Sequence, residues 1–150
     1  MNKYILAALK RANKISLESD YTKHKLGAVI FYKNKIVSEG CNQKKNNPLQ
    51  RRYNIYRAPE DFDTDLYCGS HAEINALRNL PFNLDIDPSK LSILVFRKTK
   101  DNNLAMARPC KSCERALKEF GIKNVYYTNT GRIVHEEYFN SEDEQQVCLS

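Results

Sequence analysis

The chain has 150 residues, 41% of them hydrophobic and 28% charged, and a formal net charge of +6. That length can bury a substantial core without disulfide staples, and the composition is that of a globular protein rather than a disordered or fibrous one. No apolar run approaches the ~18 residues that a membrane-spanning helix needs, so no membrane partner is expected.

The first element is a helix. The opening "MNKYILAALKRANK" superficially resembles a secretory leader, but its apolar part "YILAAL" is short. Basic residues follow at once and no small-residue cleavage site appears. It therefore reads as a mature amphipathic helix, with cytoplasmic placement as the expectation. Over residues 3–19, Ile5, Ala8, Leu9, Ala12 and Ile15 recur at helical spacing, an apolar stripe for packing on a sheet. "LGAVIFYKN" then reads as a buried strand, and the turn "KNK" leads into "IVSEG", which makes an antiparallel hairpin.

Residues 41–69 are predicted to form a polar loop, and a loop of that length in a compact domain is usually functional or mobile. Its first part, "CNQKKNNPLQRRYNIYRA", carries Lys44, Lys45, Arg51, Arg52 and Arg57 and no acid. "PEDFDTDL" follows with four acids, and the C-terminal "EEYFNSEDEQQ" is acidic as well. A basic loop interleaved with Tyr53 and Tyr56 can follow a phosphate backbone or hold one phosphate. The plainer alternative is a solvated loop balanced by the acidic run beside it.

A second helix is predicted from Ser70 to Leu80, stopped by Pro81. "LSILVF" is a third strand, followed by a turn around "KDNN". Pro109 suits the first turn of a third helix, which Phe120–Gly121 closes. "KNVYYT" is a fourth strand and "RIVH" a short fifth, before an acidic tail that is helical or frayed. There is no internal repeat. The order describes a single α/β domain over residues 1–150, a three-layer α/β/α sandwich on a mixed five-stranded sheet. The two strands enclosing the third helix can run parallel through a right-handed crossover. The starts of the second and third helices can then sit side by side.

Those two helix starts carry the chemistry. Ser70 followed three residues later by Glu73 is a capping box, in which each side chain satisfies a backbone N–H of the other. The same stretch contains His71-x-Glu73, a metal-ligand type beside an acid. Cys110 and Cys113 are one helical turn apart, so both sulfurs point the same way. Alone, Cys-x-x-Cys is either half of a structural zinc site or a redox pair. No second such pair completes a four-cysteine site, and a redox pair belongs just after the first strand of its fold. A catalytic zinc needs one more protein ligand and keeps a fourth position open. Of the three histidines (His24, His71 and His135), His71 is the best candidate, although a lone histidine in an apolar helix is more often structural. Five cysteines without a leader argue against a disulfide framework, so Cys41, Cys68 and Cys148 read as buried or free thiols.

His-x-Glu followed by Pro-Cys-x-x-Cys is the signature of the zinc-dependent nucleobase deaminases. The chain thus resembles the cytidine deaminase superfamily, within the branch that includes deoxycytidylate deaminases and tRNA adenosine deaminases. "HAEINAL" fits that branch's His-Ala-Glu form, and "LGAVIFYKNKIVSEGCN" resembles its first hairpin, which ends in Gly-x-Asn. The likeness covers roughly residues 4–128. It implies a Zn2+ ion held by His71, Cys110 and Cys113 that activates water, with Glu73 as catalytic acid and base. Glu73 would take the water's proton, deliver it to the ring nitrogen and help ammonia leave as C4 of cytosine is attacked. The resemblance also implies substrate contacts from Asn42 to the sugar, from the backbone of Ala72 to the pyrimidine, and from an aromatic wall at Tyr126 or Tyr127. Tyr127 is the choice made here. Asn42 reads equally as a turn residue closing the second strand, and either tyrosine as ordinary core.

Two stretches depart from the deoxycytidylate pattern: "QKKNNPLQRRYNIYR" after Asn42, and "RKTKDNNLAMAR" before Pro109. Three functions remain in view. The first is a deaminase of a free cytosine nucleotide or nucleoside, resembling deoxycytidylate enzymes, with the basic loop holding a phosphate. The second is a deaminase of cytosine or adenine in single-stranded DNA or RNA. The third is a zinc-stabilised binding protein of the same fold, against which the intact His-x-Glu argues. Self-association into a homo-oligomer is the default that the resemblance implies.

Overall fold

The computed structural model describes residues 2–21, 24–56 and 69–139. Helix α1 spans Lys3–Ser16, and the hairpin strands β1 and β2 span Leu26–Tyr32 and Lys35–Cys41. A short helix α2 covers Pro48–Tyr53 and runs on as a 3-10 turn over Asn54–Tyr56. Helix α3 is Ala72–Arg78, β3 is Ser92–Arg97, α4 is Lys111–Glu119, β4 is Asn124–Asn129 and β5 is Arg132–Glu137.

The five strands form one sheet in the order β2-β1-β3-β4-β5. Only β3 and β4 are parallel; every other neighbouring pair is antiparallel. The mixed sheet expected from the sequence is therefore present, with α4 making the crossover. Side chains alternate across the strands. Val29, Phe31, Leu94 and Phe96 pack under α1 against Ile5, Ala8 and Ala12. Ala28, Ile30, Ile93, Val95 and Val125 face the other way, against Ile74 and Ala76 of α3 and Ala116 and Leu117 of α4. Two apolar layers, one on each face, give the three-layer sandwich.

Close approach fixes where α3 lies. A Cβ at Gly40 of β2 would stand 2.5 Å from the Ala76 nitrogen, so only glycine lets the helix backbone rest on that strand. The hydroxyl of Ser38 donates to the Ala76 carbonyl from the same strand. The expected stop of α4 is also present: Phe120 is the C-cap and Gly121 adopts φ +85°.

Several local expectations are corrected. Helix α1 ends at Ser16 rather than at residue 19. The polar segment 41–69 is not all loop: Asn47 caps α2 by accepting from the Gln50 N–H at 2.8 Å, with Pro48 in its first turn. Helix α3 starts two residues later than expected. Its N-cap is His71, which makes no side-chain capping bond. Ser70 instead pairs its backbone with Gln43 and accepts from Asn75 Nδ2 at its hydroxyl, so the capping box does not form. Arg57, the acidic run after it, Cys68, Cys148 and the acidic tail lie outside the described residues.

Candidate active site

Helices α3 and α4 begin side by side on the same face of the sheet, and both begin on a metal-ligand type of residue. His71 is the N-cap of α3 and Cys110 the N-cap of α4. Neither side chain is spent on capping. Cys113 sits one turn into α4 and is fully buried. His71 Nδ1 lies 3.3 Å from Cys113 Sγ and 3.5 Å from Cys110 Sγ, and the three ligand atoms all fall within 4.8 Å of one another.

These distances test the fit of a metal. An ion bonded tetrahedrally to an imidazole nitrogen and to thiolate sulfurs holds nitrogen and sulfur about 3.5 Å apart. One nitrogen and two sulfurs make a soft donor set of the kind zinc prefers. Of the two sulfurs, Cys110 is already polarised towards binding. Cys113 donates to Cys110, His71 adds its own hydrogen bond, and together they push the Cys110 thiol down to about 3 despite its burial. Burial and the neighbouring Cys110 push the Cys113 thiol up. The hydroxyl of Ser112, itself fully buried, lies 3.1 Å from Cys110 Sγ.

Glu73 lies beside this cluster. It is 4% exposed, and burial raises its carboxyl above the ordinary range while His71 opposes that rise. A buried acid within reach of a metal-ligand cluster is a group that can both hold and release a proton. Ala72, 1% exposed, sits between His71 and Glu73 as the first residue of α3.

The other expected contacts lie further out. Asn42 is 6% exposed; its Oδ1 accepts from the Leu26 N–H at 2.9 Å and its Nδ2 donates to the His24 carbonyl at 2.8 Å. Those are the bonds of a residue that pins the chain at the end of β2. One amide proton and one lone pair remain for another partner. Alternation separates the two tyrosines. Tyr126 points towards α1, near Phe31, and stacks on His135 at 4.3 Å. Tyr127 faces α4 and donates to Glu136 Oε1 at 2.5 Å. The same carboxylate is bonded twice by Arg108, two residues before Cys110.

Gln50 is the supporting residue that sequence reasoning missed. It is fully buried in α2, and its Oε1 accepts from the His71 N–H at 2.9 Å. Its Nε2 donates to Asn54 Oδ1 at 2.8 Å. The available signal was Asn47-Pro48, a cap followed by a proline at the first helical position, inside what reads as basic loop.

With this geometry in view, the comparisons define a class. The chain matches the sequence family described as the cytidine and deoxycytidylate deaminase zinc-binding region over residues 2–129, and it belongs to that family. Solved structures share the fold. A cytidine deaminase from Burkholderia pseudomallei is 20% identical with a TM-score of 0.59, covering 88% of this chain and 91% of that one. The dCMP deaminase of cyanophage S-TIM5 without ligand is 24% identical with a TM-score of 0.55, covering 86% of each chain. In complex with dCMP and dUMP it gives 21% and 0.56, covering 85% of this chain and 82% of the other. No curated protein sequence gives a match. Among the described residues, no helix is long and apolar enough to cross a membrane.

Proposed function

We propose that the protein is a zinc-dependent hydrolytic deaminase that converts the cytosine base of a free nucleotide or nucleoside, of the dCMP type, to uracil and ammonia. The observation that carries this reading is the convergence of His71 Nδ1, Cys110 Sγ and Cys113 Sγ with the buried carboxyl of Glu73 alongside. A purely structural zinc site has no use for that acid. His71, Cys110 and Cys113 would hold the ion, which would supply the Lewis acidity that makes water a nucleophile near neutral pH. Glu73 takes the proton from that water and carries it to the ring nitrogen next to the attacked carbon. It then takes the second proton of the added water and passes it to the departing amine. Burial favours the protonated form of Glu73, which suits a group that must accept a proton and hold it between the two transfers. Ala72 offers its backbone, Asn42 its remaining amide capacity and Tyr127 an aromatic surface to the nucleoside.

The preference for a small substrate rests on the "HAEINAL" stretch and on likeness to a fold that includes a dCMP deaminase. The test is a deamination assay with deoxycytidylate, deoxycytidine and a cytosine-containing single strand in parallel. Glu73→Gln is expected to retain zinc and lose at least about 10²-fold in turnover. Undiminished activity in that variant would overturn the mechanism. Conversion confined to the strand would replace the small substrate by a nucleic acid.

A further inference from the structure

Between the loop leading into α2 and the outer side of α3 lies a cleft of about 320 Å³. Lys45, Arg51 and Arg78 line it, with the amides of Asn46, Asn47 and Asn75 between them and no carboxylate. All three cations are exposed, and none of them is in an ion pair among the described residues. Outside the lining, Asp20 accepts from the Lys44 N–H at 2.8 Å, and Glu18 and Glu39 line the adjoining cleft that Arg78 also borders. Glu39 is already committed, bonded twice by Arg11 at 2.5 Å.

The walls are built rather than loose. Asn47, 6% exposed, accepts from the Gln50 N–H and donates to Asn75 Oδ1 at 3.0 Å. Asn75 in turn donates to Ser70 Oγ at 3.0 Å and to the Cys41 carbonyl at 2.8 Å. The segment bearing Lys45 and Arg51 is thus tied to the helix bearing Arg78. Three like charges held together with no carboxylate among the described residues that line the cleft are a ready site for an anion. Two guanidiniums add planar forks that match the oxygens of a phosphate. Ser70, which also lines the cleft, is adjacent in sequence to His71.

We propose that this cleft is a phosphate-binding site, separate from the His71–Cys110–Cys113 cluster. It takes a phosphoryl group, carried either by a free nucleotide or by the backbone of a single strand. The proposal does not rest on the deaminase reading, because it is tested by binding. Zinc-loaded Glu73→Gln protein is titrated into a fluorescein-labelled oligodeoxycytidine and followed by anisotropy, over a series of salt concentrations. The Arg51→Gln/Arg78→Gln pair is expected to lose about tenfold or more in affinity and to flatten the salt slope by about one to two units. Both residues are exposed, and circular dichroism checks that the variants fold. Lys10→Gln/Lys14→Gln removes the same charge from α1, on the other side of the sheet, and is expected to leave the affinity nearly unchanged. Competition identifies the source: displacement by dCMP and inorganic phosphate assigns the site to a free phosphate, and displacement by unlabelled strand alone assigns it to a backbone. Absence of binding, an unchanged affinity and slope in the arginine pair, or an equal loss in the α1 pair would each overturn the proposal.

Discussion

Gln50 shows how much of the site depends on a side chain that never needs to touch substrate. Its carbonyl oxygen satisfies the His71 N–H, one of the donors that a helix start leaves without an intrahelical partner. Gln50→Leu keeps the volume and removes the acceptor. The expected cost is about 1–3 kcal/mol for the buried N–H left unsatisfied, read as a lower denaturation midpoint. Because that N–H belongs to a proposed ligand residue, zinc affinity is expected to fall by about 10- to 100-fold. A zinc titration giving the parent affinity would show that Gln50 only fills space. The carboxylate of Glu136 is a second such residue. Arg108 and then Tyr127 bond to it and hold its pKa below the ordinary value of 4.5. A group with a depressed folded-state pKa stabilises above its unfolded value, and that contribution is lost as pH falls through the folded one. Stability is therefore expected to decline below about pH 4.5, less steeply in Glu136→Gln. Solvent screening keeps the difference small, since the Arg108 side chain is 48% exposed. Urea midpoints measured from neutral pH down to about pH 3 check it, and parallel profiles for the two proteins would remove Glu136 from the account.

At the scale of elements, the site exists because two short helices start at the same place, and Gly40 sets one of them. Gly40→Ala puts a methyl group 2.5 Å from the Ala76 nitrogen, a backbone atom that cannot swing aside. The helix has to lift from the strand, which is expected to cost about 1–3 kcal/mol. His71 moves with α3, so activity is expected to fall more than stability alone explains. Retention of full activity at a lowered melting temperature would separate the two. The strands and α4 were legible in the sequence because each carries its own pattern. Buried runs such as "LGAVIFY" need no tertiary information, and Phe120–Gly121 closes α4 by local chemistry. Helix α2 was not legible. Six residues with two arginines have little periodicity, and what holds them is Tyr53 and Gln50 buried against the rest of the molecule. The capping box failed for a related reason. Ser70 is taken by Gln43, distant in sequence, which pairs with its backbone, and by the Asn75 amide, which donates to its hydroxyl from within the helix it was expected to cap. Cysteines and a histidine at diagnostic spacing announced the cluster, whereas its supports are amides that gain meaning only once the chain has folded.

For the whole molecule, the cluster joins parts that the sequence keeps apart. His71 enters on the β2–α3 side, and Cys110 and Cys113 on the β3–α4 side. Apolar side chains of both helices, Ile74 and Leu77 of α3 and Ala116 and Leu117 of α4 among them, share one buried cluster under the sheet. An ion held by all three residues therefore links the two halves of one face of the sheet. Metal that binds the folded chain and not the unfolded one stabilises by mass action, about 2.7 kcal/mol at a free concentration 100 times the dissociation constant. Removing zinc with a chelator is expected to lower the melting temperature by several degrees, and adding it back is expected to restore the transition. Cys113→Ser should melt near the chelated parent and respond little to zinc, because the lost sulfur is the fully buried one, 3.3 Å from His71 Nδ1. The apo protein need not unfold, since the core on either face of the sheet is formed by the chain alone. An unchanged melting temperature on chelation, with zinc loss verified by metal analysis, would mean that packing alone fixes the two helix starts and that the ion serves chemistry only.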